Sequence, residues 1–272
     1  MANKKIKIVK KTTLALLTLI MSALCFVSAV SAEAQGWYCV RNKEHKQPIL
    51  DAAQKYIEQL GGYYVDRKYS DGNEEKVVYL TFDAGYENGN VEKILDVLKA
   101  EEVKGGFFIL GNLITRNTEL VKRMADEGHT VCNHTLRHRD MTKVTSKEEF
   151  AAELASLESL YREHTGREMA KYYRPPEGKY DEKTMRFANE LGYKTIFWSL
   201  AYADWDNDKQ PSSDKAKQIL LDNIHNGAVI LLHPTSATNA AILGDVIRTL
   251  KAEGYRFGEL SELTLEKGGD NA

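Results

Sequence analysis

From Lys76 onward, short apolar runs rich in β-branched and aromatic residues alternate with longer stretches whose apolar residues recur every three or four positions. The first pattern suits a strand and the second a helix, so the alternation dictates strand, helix, strand, helix. The runs predict strands over Val77–Phe82, Gly106–Leu110, Thr130–Cys132, Tyr172–Arg174, Thr195–Leu200, Ala228–Leu232 and Arg256–Phe257. Between them, Val91, Ile94, Leu95 and Leu98 share one helical face, and Leu120, Val121, Met124 and Ala125 another; Phe150, Leu154, Leu157, Leu160 and Tyr161 mark a long helix. Strands joined through helices run parallel, and this many repeats favours a closed or nearly closed sheet. The fold class expected is α/β, a (β/α) barrel, for which 272 residues suffice because such barrels commonly take about 250.

In a parallel barrel the C-terminal strand ends meet on one face, and side chains emerging there carry the chemistry. Unusual polar residues follow the apolar runs here: Asp83 after the first, Asn133 and His134 after the third, Arg174 at the end of another, Asp204 past TIFWSL, and His233 after AVILL. His134 and His138, in H-T-L-R-H, share one face if the segment turns helically, a spacing that suits two ligands of a divalent metal or, equally, two solvated surface histidines. Asp83 near a metal could deprotonate a bound water; an aspartate before Ala84-Gly85 is also a common turn or cap residue. Arg174, followed by two prolines, could hold a carboxylate in a bidentate contact or be an ordinary ion-pair member. Asp204 could orient His233 and raise its pKa to make it a general acid, whereas a satisfied core histidine is the plainer alternative. Trp205 and Leu231 are by default core residues.

Before Lys76 the chain reads differently. Residues 3–11 (NKKIKIVKK) are basic, residues 12–30 are almost all apolar or small, and V-S-A-E-A offers cleavage after Ala32, with Ala34 an alternative. This order predicts a secretory signal peptide over 1–32, the alternative being an uncleaved single-span anchor. Either places the body of the protein outside the cytoplasm, on the cell-wall side of the membrane or secreted. Leu24 is too bulky for lipoprotein processing at Cys25. Cys39 and Cys132 could bridge in an oxidising compartment, but spacing does not decide it, and they are read as incidental. One helix is expected over Ile49–Leu60, within an N-terminal extension of residues 33–75. The first 32 residues hold five Lys and no acids, leaving 32 basic against 39 acidic residues, a net of −7. A body of that charge has no electrostatic reason to bind nucleic acid.

Taken in order, TFDAGYENG, H-T-L-R-H, RPPEG, the AYADW segment and ILLH resemble the motifs of the polysaccharide deacetylase family (NodB-type, carbohydrate esterase family 4), over about residues 77–263. TFD-x-GYENG with RPP-x-G and FWS-x-A-x-x-DW is similar to the delta-lactam-forming branch, whose members deacetylate muramic acid in spore cortex peptidoglycan. The resemblance implies a distorted (β/α) barrel over residues 76–265, with a tail of 266–272. It implies Asp83 as base, Arg174 as its tether, His233 as acid with Asp204 as partner, and His134 and His138 as ligands of a divalent metal, Zn2+ being expected. Trp205 and Leu231 match the groove for the acetyl methyl, and the Glu177 N–H matches the oxyanion donor. One departure stands out: Ala84 occupies the position of the usual third ligand, an aspartate. Water, Glu87 or weak metal binding are the ways left to resolve that.

The function expected is an exported, metal-dependent amidohydrolase removing N-acetyl groups from peptidoglycan amino sugars, with N-acetylmuramic acid the expected sugar. The alternatives are a deacetylase of chitin-like oligomers and, because of Ala84, a catalytically weak glycan-binding homologue. A glycosidase needs paired carboxylates where this chain offers histidines. Glycan strands of peptidoglycan are the expected partner, with membrane contact only through an uncleaved signal, and a monomer is expected.

Overall fold

The computed structural model describes residues 33–70 and 73–266. The export-signal reading and the C-terminal tail from residue 267 on therefore lie outside the described residues. Among these residues no helix is long and apolar enough to cross a membrane.

Eight strands form one sheet: β1 (Gly62–Tyr63), β2 (Lys76–Ala84), β3 (Gly106–Ile109), β4 (Thr130–Asn133), β5 (Ala170–Tyr173), β6 (Lys194–Ile196), β7 (Ala228–Leu232) and β8 (Tyr255–Phe257). Their order is β8-β2-β3-β4-β5-β6-β1, β7 also pairs with β2, and every ladder is parallel. The main helices are α1 (Val91–Ala100), α2 (Gly111–Arg116), α3 (Thr118–Asp126), α4 (Lys147–Thr165), α5 (Glu182–Glu190), α6 (Ser213–Asn223) and α7 (Ala237–Ala252). Beyond β6 the sheet curls until Leu200 meets Ile230 of β7 through an isolated parallel bridge. The expected α/β barrel is therefore the fold, distorted where isolated bridges, this one and an antiparallel one between Val65 and Ala228, stand in for a ladder.

Strand alternation sorts β2 into two rows. Val78, Leu80, Phe82 and Ala84 join an apolar layer shared with Val91, Ile94, Leu95 and Leu98 of α1 and with Ile242, Val246 and Ile247 of α7. Val77 and Tyr79 face the other way, into a cluster with Phe108, Cys132, Ile196 and Val229 that fills the barrel. Burial is worth about 1.5–3 kcal/mol for each large apolar side chain, so a one-residue slip that exchanged the rows would be prohibitive. The same register puts Thr81 and Asp83 in the inward row, at the C-terminal mouth. Capping fixes the longer helices: Ser146 accepts from Glu149 N–H at the start of α4, and Asp181 and Thr184 form a reciprocal capping box on α5.

Two expectations fail locally, and one element has no counterpart among them. The helix over 49–60 is reduced to a 3-10 turn at Ala52–Gln54 and one turn at Tyr56–Gln59. Of these short turns only Ile57 is buried, too little apolar surface to hold a longer helix, and the chain turns at Gly61 to pair as β1 with β6. The strand expected over 195–200 ends at Ile196 because the chain changes partners: Phe197 N–H still donates to Tyr63 of β1, 2.7 Å, but Ser199 N–H donates to Val229 of β7, 2.9 Å. Helix α2 was not anticipated, its β-branched residues masking it. Cys39 and Cys132 are free thiols.

Candidate active site

Inward-facing positions at the strand ends supply the site. Thr81 pairs in register with Leu231 and Phe82 with Leu232, so one step further along the two strands Asp83 comes level with His233. Arg174, just past β5, is completely buried beneath them. Its Nη1 donates to Asp83 Oδ1 at 2.7 Å, its Nε to the Ile196 carbonyl at 2.9 Å, and its Nη2 to Thr81 Oγ1 at 2.8 Å and the Phe197 carbonyl at 3.3 Å. The bidentate grip on a carboxylate is not what forms. One N–H reaches Asp83 and the rest of the fork is spent on main-chain and hydroxyl oxygens, while the guanidinium carbon sits 4.1 Å from the centre of the Phe108 ring. Burial works against ionisation of Asp83, but Arg174, His134 and His233 outweigh it and hold the carboxyl below its ordinary range.

His134 and His138 come together without a helix. Asn133 Oδ1 accepts from Thr135 N–H and Thr135 Oγ1 accepts from His138 N–H, both 2.9 Å, with Thr135 and His138 in the left-handed region at φ 72° and 56°. That turn sets the two rings 5.0 Å apart, edge to face. His134 Nδ1 lies 2.9 Å from the Arg174 carbonyl, which makes it the protonated nitrogen and leaves a lone pair on Nε2, 3.5 Å from Asp83 Oδ2. Burial pushes the His134 pKa down to about 4, keeping the ring neutral as a metal ligand must be. The two imidazoles thus suit a divalent cation, but no group of three His, Cys, Asp or Glu side chains among the described residues completes a cage. Ala84 lies in the helix-facing apolar row, and Glu87 accepts from Gly89 N–H in its own loop, its Oε2 buried without a hydrogen-bond partner.

Across the mouth, His233 Nδ1 is 2.7 Å from Asp204 Oδ1, and His233 N–H donates to Asp204 Oδ2 at 2.8 Å. Burial alone would depress the His233 pKa; the hydrogen bond and charge of Asp204, helped by Asp83, raise it above the ordinary value. Two residues that pattern reading overlooked complete the arrangement. Asn239 Nδ2 donates to Asp204 Oδ2 at 2.6 Å, and Thr81 Oγ1 accepts from Arg174 while donating to the Ile230 carbonyl at 2.7 Å. Thr81 was legible in principle as the inward residue two before Asp83; a single Asn in the first turn of an amphipathic helix carries no such signal.

Leu231 is buried in the inward row of β7. Trp205 is not a core residue: it is 63% exposed, its ring 6.4 Å from that of His233, since it follows a buried Asp204 in a surface loop rather than lying on a strand. Glu177 adopts the left-handed conformation, φ 56° and ψ 13°, within the turn after the two prolines, and its side chain pairs with Lys179 at 2.7 Å. Exposed Tyr86 accepts a 2.7 Å hydrogen bond from Asn207, tying the loop after β2 to the loop of Asp204.

Residues 70–196 match the family model described as polysaccharide deacetylase. The peptidoglycan-N-acetylmuramic acid deacetylase PdaA of Bacillus subtilis is 38% identical over 239 residues, 88% of this chain and 89% of its own length. An uncharacterized 30.6 kDa protein of Geobacillus stearothermophilus is 41% identical over 243 residues, covering 89% of this chain and 90% of that one. The solved structure of B. subtilis PdaA, described as a family 4 carbohydrate esterase, superposes with a TM-score of 0.79 at 36% identity, over 85% of this chain and 97% of that one. A family 4 carbohydrate esterase from Bacillus anthracis follows at 0.69 and 35%, over 85% and 96%. With such coverage on both sides, and with the fold in common, the chain belongs to the polysaccharide deacetylase family.

Proposed function

We propose that this protein is an exported peptidoglycan deacetylase that hydrolyses the N-acetyl group of muramic acid, with divalent-metal assistance, in the pathway of delta-lactam formation in spore cortex. The single observation that carries the reading is the placement of Asp83 at the end of β2 and His233 just past β7, its paired neighbour, one carboxyl favoured as the anion and one imidazole favoured as the cation. Hydrolysis of an amide needs a base for the attacking water and an acid for the departing nitrogen, because without a proton that nitrogen would have to leave as an amide anion, whereas once protonated it leaves as a neutral amine. Asp83 takes the water's proton; Arg174 keeps it oriented and ionised. His233 donates to the nitrogen, and Asp204 holds its imidazole in the required tautomer. The Glu177 N–H, turned by its left-handed backbone, serves the oxyanion, and Leu231 and Trp205 flank the acetyl methyl. His134 and His138 would hold the metal, Zn2+ in this reading, which when bound supplies Lewis acidity to the acetyl carbonyl. Similarity to a muramic acid deacetylase over nearly all of both chains supports the choice of sugar.

The test is acetate release by the purified protein from peptidoglycan and from chitin oligomers, with the sugar products identified by mass spectrometry. The expected outcome is acetate from peptidoglycan with muramic delta-lactam after processing. Release from chitin oligomers alone would assign a different glycan, and release from neither, with glycan binding retained, would favour the reading that Ala84 suggests. Export is checked on the same culture: the secreted protein should begin at Glu33.

A further inference from the structure

We infer that Asn239 is a positioning residue for the acid, clamping the Asp204 carboxylate and the His233 main chain to one another so that the imidazole is presented at a fixed angle. The inference rests on the assignment of His233 as the acid. Asn239 is completely buried in the first turn of α7. Its Nδ2 donates to Asp204 Oδ2 at 2.6 Å and to the His233 carbonyl at 3.0 Å, and its Oδ1 accepts from the Tyr202 hydroxyl. The amide's orientation follows from those partners, since turning it over would set its oxygen against a carboxylate oxygen and a carbonyl.

Helix capping does not explain the residue. Ser236 already caps α7, its Oγ accepting from Asn239 N–H at 3.1 Å, so the side-chain amide of Asn239 has no capping duty. Nor does packing: deeper in the helix the buried positions are Ile242, Leu243, Val246 and Ile247. What the amide does is join both halves of the pair. Asp204 arrives on the loop after β6 and His233 at the end of β7, and Asn239 bonds to each. Asp204 therefore uses both oxygens, Oδ1 for the imidazole and Oδ2 for Asn239 and His233 N–H, which prevents rotation of the carboxylate. The charged or titratable groups facing this cluster are Tyr202 beside Asn239, Asp204, and Asp83 and Arg174 bearing on His233.

Two variants and one measurement without turnover test it. Asn239→Leu removes both donors at similar volume. It should lower kcat roughly ten-fold with KM changed less than about two-fold, since the interaction serves the chemical step rather than substrate binding. In an Asp204→Asn background the same change should cost about two-fold at most, because its object is already gone. Asn239→Asp can donate to Asp204 only while its own carboxyl is protonated, so its kcat should approach the parent's at acidic pH and fall away as pH rises. Should Asn239→Leu fail to fold, Asn239→Asp carries the kinetic test. Proton NMR of the substrate-free protein should show the His233 Nδ1 proton far downfield, shifted or lost in Asn239→Leu. That shift without acetate release by the parent would sustain the clamp while sinking the proposed reaction. Equal losses in both backgrounds, a pH profile of Asn239→Asp parallel to the parent's, or an unmoved His233 resonance would each overturn the inference.

Discussion

Asp83 and His233 sit level with each other and are biased toward opposite charges, and this makes the pH dependence of the reaction a residue-scale question. The proposed reaction needs Asp83 deprotonated and His233 protonated. The Asp83 pKa lies below the ordinary aspartate value of about 3.9 and that of His233 above the ordinary histidine value of about 6.5, so kcat/KM should plateau between these limits and fall on either side. Asp204→Asn withdraws the hydrogen bond and the charge that raise His233 and leaves its burial, so the alkaline limb should move to lower pH. Asp83→Asn and His233→Ala should each cost about 10²–10⁴ in rate, the usual worth of general acid–base assistance. These profiles, taken by acetate release on a muramic-acid glycan, would sink the assignment if the limb stayed put or if His233→Ala kept a near-normal rate.

At the scale of the element, β2 decides which side of the sheet each residue serves. Ala84 packs in the helix-facing row with Leu80 and Phe82, fully buried, so the carboxylate that resemblance leads one to expect there would first meet hydrocarbon. Ala84→Asp should therefore lower the melting temperature in the absence of metal, burial of an unpaired carboxylate costing several kcal/mol. Zn2+ should restore it only if the strand end turns to bring the new side chain to His134 and His138; calorimetric scans with and without Zn2+ distinguish the outcomes. The strand ends made Asp83, Arg174 and His233 readable as one converging set, because the C-terminal ends of parallel strands meet on one face, whereas Leu231, inside its run, read by default as a core residue. The histidine pair was readable by spacing but not by shape, since the turn depends on Asn133 and Thr135 side chains accepting main-chain hydrogen bonds. Asn239 escaped because its meaning comes from a loop and a strand end distant in sequence. The helix expected before Gly61 failed because apolar content alone did not reveal that only Ile57 would be fully buried, with Leu50, Tyr56 and Leu60 packed against the same cluster in part.

Across the whole molecule, the mouth is one end of the barrel and His129 lies near the other, just before β4. Its Nδ1 accepts from Gly105 N–H at 3.2 Å, and burial pushes its pKa down to about 4. A histidine held neutral in the fold but free to charge when unfolded adds nothing above pH 6.5 and an increasing penalty as pH falls toward its folded value. Thermal stability should consequently decline between pH 6.5 and about 4, and His129→Gln should lessen that decline, His134 supplying the remainder, without altering the limbs of the rate profile; an identical slope in the variant would remove His129 from the account. The seam of the barrel has a consequence of another kind. Where the chain leaves β1 for β7, the carbonyls of Ile196 and Phe197 both point to the Arg174 guanidinium. A cation without water needs oxygen around it, and here the imperfection of the sheet provides a hydration shell made of peptide. A perfectly closed barrel would be tighter in its ladders, yet would leave that guanidinium with Asp83 and Thr81 for partners and its remaining N–H groups unmet.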